Sequence, residues 1–289
     1  MTPSDETIGT LRAHPRFREA AATAASSSVD FYQGNWIANR VLNDRARFLV
    51  TQLCMYLHHT RRPEEPASGL TATRLRDICI ANKICSAGRA EAMLLMMRAG
   101  GYLLRETVAE DKRVRRYMPT EKLVGQVRER QRGILRAVDM LQTEPRFSAA
   151  LESDPQFHPR FVSNMSASYL EGFRLFHFVP ELDRIFDRDA GLIMMMSVFL
   201  TDPAYRGFVL EQNVSVFGLA RRFNVSRAHV RAVLGDAERI GLIQRGADVA
   251  QPLPPLVEAM EKLLATGFAY SALCAERALQ EQPSLVASG

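Results

Sequence analysis

The chain lacks the sequence features of several large protein classes. No run of 18 or more apolar residues occurs in its 289 residues, and its start shows no basic region followed by an apolar stretch, so neither a membrane span nor a secretory signal is indicated. We therefore expect a cytoplasmic protein. A glycine-rich phosphate loop and the motifs H-E-x-x-H and G-x-S-x-G are also absent, so we expect neither an enzyme nor a bound cofactor.

Cysteine is scarce. The four cysteines, Cys54, Cys79, Cys85 and Cys274, show no C-x-x-C spacing and no nearby histidine pair, which argues against a zinc site. Buried, reduced thiols are the favoured interpretation. Cys85 lies beside the start of a predicted helix, whose dipole would lower the pKa of an exposed thiol, so a redox sensor is the alternative.

Positive charge is concentrated in the first half of the chain. Residues 1–145 hold 23 lysines and arginines against 16 acidic residues, a net charge of +7, whereas residues 146–289 hold 14 against 16, a net charge of −2. Local excess positive charge indicates a polyanionic partner. We expect the first half to make more of the phosphate contacts.

A short internal repeat suggests two similar units. The sequence His-Pro-Arg-Phe at 14–17 recurs at 158–161, a shift of 144 residues. The same shift aligns similar residues of 40–50 and 184–194. A chain of 289 residues accommodates about two domains, so the repeat predicts a duplication, with each His-Pro-Arg-Phe anchoring a turn.

The second unit contains the clearer helix-turn-helix pattern, at residues 219–231. Apolar residues of this segment pack two helices together, and Ser226 is expected to cap the second helix. The open side of that helix then carries Arg227, His229 and Arg231, close to the end that would enter a DNA major groove. A plain helical hairpin with solvated arginines is the alternative.

The corresponding pattern of the first unit, at residues 73–97, is less regular. Its methionine-rich helix is too apolar to be wholly exposed, and core packing is the favoured role of the methionines. Ser86 is expected to cap this helix, and Gly100-Gly101 to end it. The residues left as candidates for a groove are Ser86, Ala87, Arg89, Ala90 and Arg98.

A β-hairpin pattern follows each helix-turn-helix. In the first unit the strands flank a polar tip, and the ribbon carries cations suited to a phosphate backbone or a narrow minor groove: Arg105, Lys112, Arg113, Arg115 and Arg116. A merely solvated charged face is the alternative. The second hairpin, residues 242–252, is about seven residues shorter, and its cation is Arg245.

The order of motifs from Ser86 to Leu123 resembles the winged-helix domain of MarR-type transcription regulators. In that family the hairpin, called the wing, carries an Asp-x-Arg pair and is followed by a Leu-Thr-x-x-Gly helix start. The resemblance implies that Arg113 reaches the minor groove and that Asp111 steadies it. Leu123 stands where the family often has glycine. The family typically forms homodimers, so this chain is expected to supply both domains covalently, as a pseudo-dimer.

We predict a mainly α protein with two tandem winged helix-turn-helix domains, each with a small β-hairpin wing, related by internal duplication. The predicted boundaries are a first domain at 14–144, a linker at 145–157, a second domain at 158–280, and frayed termini at 1–10 and 281–289.

The predicted function is sequence-specific binding of double-stranded DNA by a transcription regulator. Its third helices would enter successive major grooves about 34 Å apart on an asymmetric operator or an imperfect inverted repeat. The alternatives are a plasmid-type replication initiator and a second domain that serves protein interaction or dimerisation, including a homodimer. The aromatic segments 31–36 and 173–178 are expected to pack in the core, with a small-molecule effector site as the alternative.

Overall fold

The computed structural model describes residues 2–33, 44–65, 68–107, 115–246 and 249–281, and it is mainly helical. Its helices are α1 (Asp5–Ala13), α2 (Phe17–Tyr32), α3 (Arg45–His59), α4 (Ala72–Ala81), α5 (Ala87–Ala99), α6 (Glu121–Asp139), α7 (Phe147–Ser153), α8 (Phe157–Leu170), α9 (Asp183–Phe186), α10 (Gly191–Phe199), α11 (Val216–Phe223), α12 (Arg227–Arg239) and α13 (Pro254–Gln280). Two antiparallel hairpins are formed by β1 (Leu103–Thr107) with β2 (Arg115–Pro119) and by β3 (Ile243–Arg245) with β4 (Ala250–Pro252).

The same order of elements occurs twice along the chain. The elements α1 to α6, with the hairpin β1–β2 before α6, correspond to α7, α8, α10, α11, α12, the hairpin β3–β4 and α13. The short helix α9 and the 3-10 turns Leu175–Phe178 and Pro180–Leu182 lie between α8 and α10.

Packing between the two halves is reciprocal. Within its own half, α2 packs on α6 and α8 packs on α13. Across the halves, α3 packs on α8 while α10 packs on α2, and α1 packs on α13 while α7 packs on α6. Each of these contacts therefore has a counterpart when the halves are exchanged, and the buried side chains form one continuous core.

Small residues allow the closest of these helix pairs to form. The alanines of α2 that face the core are almost fully buried: Ala20, Ala21, Ala22, Ala24 and Ala25. On the facing helix α6, a Cβ at Gly133 would lie 2.6 Å from the Cβ of Ser27, so only glycine fits there. Close backbone approach lets two helices bury a continuous surface without large side chains.

Local sequence signals determine the ends of the helices in both halves. The side-chain oxygens of Ser86 and Ser226 accept hydrogen bonds from the first turns of α5 and α12, as predicted. Gly101 and Gly241 both adopt φ of +73° just after these helices, where a side chain would be strained. The predicted caps and the predicted glycine stop after α5 are confirmed.

The hairpins also correspond. Leu103 pairs with Pro119 at the base of the first, and Ile243 pairs with Pro252 at the base of the second, which makes the second seven residues shorter, as predicted. The residues that cap α4 and α11 each add a further bridge to the hairpin of their half, Thr71 to Arg116 of β2 and Ser215 to Val249, just before β4.

Two of the predicted boundaries are wrong. The predicted linker 145–157 contains α7, whose Phe147 and Leu151 are fully buried against the rest of the core. The predicted frayed segment 1–10 contains most of α1, which Ser4 caps and whose Ile8 is buried. Most of the other predicted frayed end, residues 282–289, lies outside the described residues.

The His-Pro-Arg-Phe repeat does not mark equivalent positions. The first copy forms the turn before α2, whereas the second lies inside α8, where His158 is 4% exposed. Counted from the starts of α2 and α8, the buried Phe17 corresponds to the buried Phe157, a shift of 140 residues rather than 144. The prediction that both copies anchor a turn is therefore wrong for the second.

Candidate nucleic-acid interface

The helices α5 and α12 correspond residue by residue. Both contain 13 residues and begin after a capping serine, Ser86 or Ser226. Their buried positions coincide at a shift of 140: Ala90, Met93, Leu94 and Met97 in α5, and Val230, Val233, Leu234 and Ala237 in α12. The outward positions of the two helices can therefore be compared pairwise.

The outward face of α12 presents free positive charge. Arg227 and Arg231 are both exposed, and neither forms an ion pair with any residue that the structure describes. The guanidinium of Arg227 lies 5.1 Å from the ring centroid of Phe217, whose side chain is itself 54% exposed. This contact orients the arginine without neutralising it.

The outward face of α5 is different, although its N-terminus was expected to resemble that of α12. Arg89 is exposed, but its Nη2 lies 2.8 Å from Oδ2 of the buried Asp44. Leu95, which lies among the methionines of this helix, is 64% exposed. When α5 is aligned with α12 at a shift of 140, Leu95 matches Gly235, which is not one of the buried positions of α12. This alignment would have predicted that Leu95 points outward.

A chain of polar contacts connects the two helices across the halves. Arg89 binds Asp44, which also caps α3 and lies 3.3 Å from Nε of Arg47. Nη1 of Arg47 lies 3.1 Å from Oδ1 of Asp189, and Nε2 of His229 donates to the Asp189 carbonyl oxygen at 2.8 Å. The third residues of α5 and α12 are thus both tied to the start of a preceding helix. Sequence reasoning identified neither aspartate.

The first hairpin divides its arginines between two faces. Side chains alternate along a strand, so Arg105 and Arg115 lie on one face and Arg116 with Glu106 on the other. Arg105 and Arg115 are exposed, without an ion pair among the described residues.

Arg116 was predicted as an exposed contact, and this is wrong. It is 4% exposed, its Nη1 lies 3.4 Å from Oε2 of Glu106, and a bridge joins its backbone to Thr71. Lys112 and Arg113, together with Asp111, lie outside the described residues, so the predicted wing contacts at these positions stay predictions.

Arg245 of the second hairpin is held by its own half. Its Nε and backbone N–H both donate to the carboxylate of Glu238 on α12, at 2.6 and 3.0 Å. These bonds hold the pKa of Glu238 below its usual value. The interaction fixes the hairpin against α12 and offsets the positive charge of the arginine.

The cysteines behave as ordinary core residues. Burial raises the pKa of Cys79 to about 12 and also raises the pKa of Cys85, which disfavours the reactive thiolate that a redox sensor needs. Within the described ranges, no group of three or more histidine, cysteine or acidic side chains is arranged to hold a metal ion.

The described aromatic segment of the second half packs in the core. Phe173 stacks on Tyr270 with ring centroids 4.1 Å apart, and Phe176 stacks on Phe186 at 4.0 Å. A cleft of about 400 Å³ lies at another place, between α1, α6 and α13. In the aromatic segment of the first half, Tyr32 is buried and its ring contacts that of Phe31, with centroids 5.1 Å apart, while residues 34–36 lie outside the described residues.

Among the described helices, none combines the length and the apolar character needed to cross a bilayer. Compared with protein-family models, curated proteins and solved structures, the chain matches none of them.

Proposed function

We propose that this protein binds double-stranded DNA in a sequence-specific manner and regulates transcription, with α5 and α12 as the two recognition helices. Each helix follows a shorter packed helix and precedes a hairpin that is joined by a bridge to the segment before that shorter helix. This order is the one expected of a winged helix-turn-helix domain, in which the third helix enters the major groove.

The observation that carries the proposal is the free charge on α12. Arg227 and Arg231 project from the first half of a capped helix, with no acidic partner among the described residues. Exposed arginines that lack an acidic partner are available to phosphates and to base edges. Arg105 and Arg115 add a second exposed pair on one face of the first hairpin.

Reciprocal packing favours an inverted pair of half-sites. The cross-half contacts of α3 with α8 and of α10 with α2 are those of a two-fold arrangement built within one chain. A two-fold arrangement of recognition helices matches a pseudo-palindromic duplex. Directly repeated sites, expected of a replication initiator, do not share this symmetry.

The test measures the affinity of the protein for random-sequence duplex DNA at increasing salt concentration, with fluorescence anisotropy as the readout. Several phosphate contacts predict that the logarithm of the affinity falls steeply with the logarithm of salt concentration, with a slope of about −0.9 for each contact. A protein-interaction module would show almost no DNA affinity at any salt concentration.

Paired variants assign the contact to the proposed surface. Arg227→Ala with Arg231→Ala should weaken binding by about 5-fold to 150-fold for each base contact that is lost. Arg239→Ala, compared with each single arginine variant, is the matched control, because it removes one charge from the last turn of the same helix, where Arg239 pairs with Asp236. Equal effects of the two changes would contradict the assignment of α12.

A further inference from the structure

The outward faces of α5 and α12 have diverged at the positions nearest the proposed groove. At a shift of 140, Ala87 stands opposite Arg227, Glu91 opposite Arg231, and Leu95 opposite Gly235. The buried positions between them keep the same pattern. The two helices therefore present different chemistry from the same framework.

The face of α12 is suited to guanine. An arginine donates two hydrogen bonds to the O6 and N7 acceptors of guanine in the major groove, and Arg231 is exposed without an ion pair among the described residues. Its counterpart Glu91 is an acceptor and lies 3.9 Å from Arg76. A carboxylate cannot donate to guanine, so α5 is not equipped for the same contact.

The face of α5 is suited to thymine. Leu95 is 64% exposed, and Ala92, one turn earlier in the helix, is exposed on the same side. Apolar side chains contact the 5-methyl group of thymine, the one apolar feature of the major groove.

Charge favours a duplex over an apolar protein partner for this face of α5. The helix packs against β1 of the first hairpin, and the exposed Arg105 on β1 has no ion pair among the described residues. The first half also has the net charge of +7 that a polyanion would neutralise.

We propose that the two half-sites differ in chemical kind: α12 contacts guanine through Arg231, and α5 contacts thymine methyl groups through Leu95 and Ala92. This inference rests on the proposed function, and it assigns one base class to each recognition helix. The operator would then be an inverted pair in which one half is marked by guanine and the other by thymine.

The experiment uses the intact protein and the tightest duplex selected from random DNA. The Arg231→Ala variant first identifies the half-site that α12 contacts, because base preference should be lost in that half alone. Deoxyuridine, which lacks the 5-methyl group, is then placed at the thymines of each half-site separately. In separate duplexes, 7-deazaguanine, which lacks the N7 acceptor, replaces guanine first in the α5 half-site and then in the α12 half-site.

Deoxyuridine in the α5 half-site should weaken binding about fourfold for each methyl group in contact, and in the α12 half-site it should have no effect. The analogue 7-deazaguanine should show the opposite pattern. In Leu95→Ala the deoxyuridine effect should shrink, because the two changes remove the same contact. Leu273→Ala, an exposed leucine on α13, is the matched control and should keep the full effect.

The outcomes separate the inference from the proposed function. Absence of salt-dependent DNA binding would overturn the proposed function and the inference together. Salt-dependent binding in which deoxyuridine is neutral in both halves, or in which Leu95→Ala leaves the deoxyuridine effect intact, would overturn only the assignment of thymine to α5. Unchanged DNA affinity in Leu95→Ala would likewise remove that assignment and favour a protein partner for this face.

Discussion

The two halves of the molecule share a framework but hold it in different ways. In the first half α3 starts at a capping Asp44 whose carboxylate is buried and binds Arg89 of α5. In the second half α10 starts at Ala190, which adopts a left-handed φ of +55° and offers no side-chain cap, while His229 binds a backbone carbonyl. Packing positions are shared and polar supports are not, which shows that the core constrains the fold more tightly than any one ion pair.

The largest effect of a substitution on stability should appear at the start of α10. A Cβ at Gly191 would lie 1.9 Å from the backbone oxygen of Ile185, which cannot move away as a side chain can. Gly191→Ala should therefore lower the free energy of unfolding by about 3 kcal/mol or more, measured by urea denaturation.

Ala190→Gly is the neighbouring control. It relieves a left-handed backbone that costs about 1 kcal/mol and removes one buried methyl group worth about 0.8 kcal/mol, so stability should stay nearly constant. A tolerated Gly191→Ala would show that α10 is not fixed at this point.

The next effect concerns the two aspartates of the polar chain. Asp44→Ala should destabilise by about 2 to 3 kcal/mol, because it removes a helix cap and the buried partner of two arginines. Asp189→Ala should cost about 0.5 kcal/mol or less, since that side chain is 48% exposed. Thermal denaturation of the two variants measures both losses of stability. Similar losses in the two variants would contradict the difference between the halves.

The two copies of His-Pro-Arg-Phe predict different responses to acid. Burial lowers the pKa of His158, and of the nearby His59, to about 4, and the charges of Arg128 and His58 add to this effect. An unfolded histidine has a pKa of about 6.5, so between pH 6.5 and pH 4 the unfolded chain binds more protons and stability falls as the pH drops. Above pH 6.5 this contribution is constant.

In this pH range the free energy of unfolding should fall by up to about 1.4 kcal/mol per pH unit for each buried histidine. In His158→Gln part of this slope should be lost, because a buried histidine is removed. His14→Gln, the same change in the turn of the first copy, is the matched control. Urea denaturation across this pH range measures both, and identical profiles for the two variants would contradict the different burial of the copies.

The smallest effect concerns the helix interiors. Gly235 of α12 has open space around a Cβ, with its nearest neighbour 3.9 Å away at Nη1 of Arg245. Gly235→Ala should therefore raise the free energy of unfolding by about 0.5 to 1 kcal/mol. Leu95→Gly, at the matching position of α5, should lower it by a similar amount, and both are measured by urea denaturation. A destabilised Gly235→Ala would mean that this outward position is not free.

Local signals allowed much of the fold to be predicted from the sequence. Capping serines, the glycines after α5 and α12, and the difference in hairpin length depend on a few neighbouring residues, so they could be identified without tertiary information. The linker prediction was wrong because prolines were taken as breakers. Pro145 and Pro155 lie on either side of α7 and do not interrupt it, and the apolar Phe147 and Leu151 between them indicated a helix instead.

Tertiary contacts explain the remaining differences in the candidate interface. Strand alternation alone separates Arg115 from Arg116, but the burial of Arg116 depends on the segment before α4, far away in sequence. The pairing of Arg89 with Asp44 spans 45 residues and that of Arg47 with Asp189 spans 142. Sequence patterns identify which residues carry charge, whereas the folded chain determines which of those charges remain free.

Selection of bound duplexes from random DNA by the intact protein is the most direct test of the central claim, that two unlike recognition helices contact one duplex as an inverted pair. The account predicts an enriched site with two different half-sites in inverted orientation, their centres about 10 base pairs apart. In the variant with Arg227→Ala and Arg231→Ala, one half-site should lose its sequence preference while the other keeps it. Failure to enrich any sequence, or enrichment of direct repeats of a single half-site, would contradict the claim.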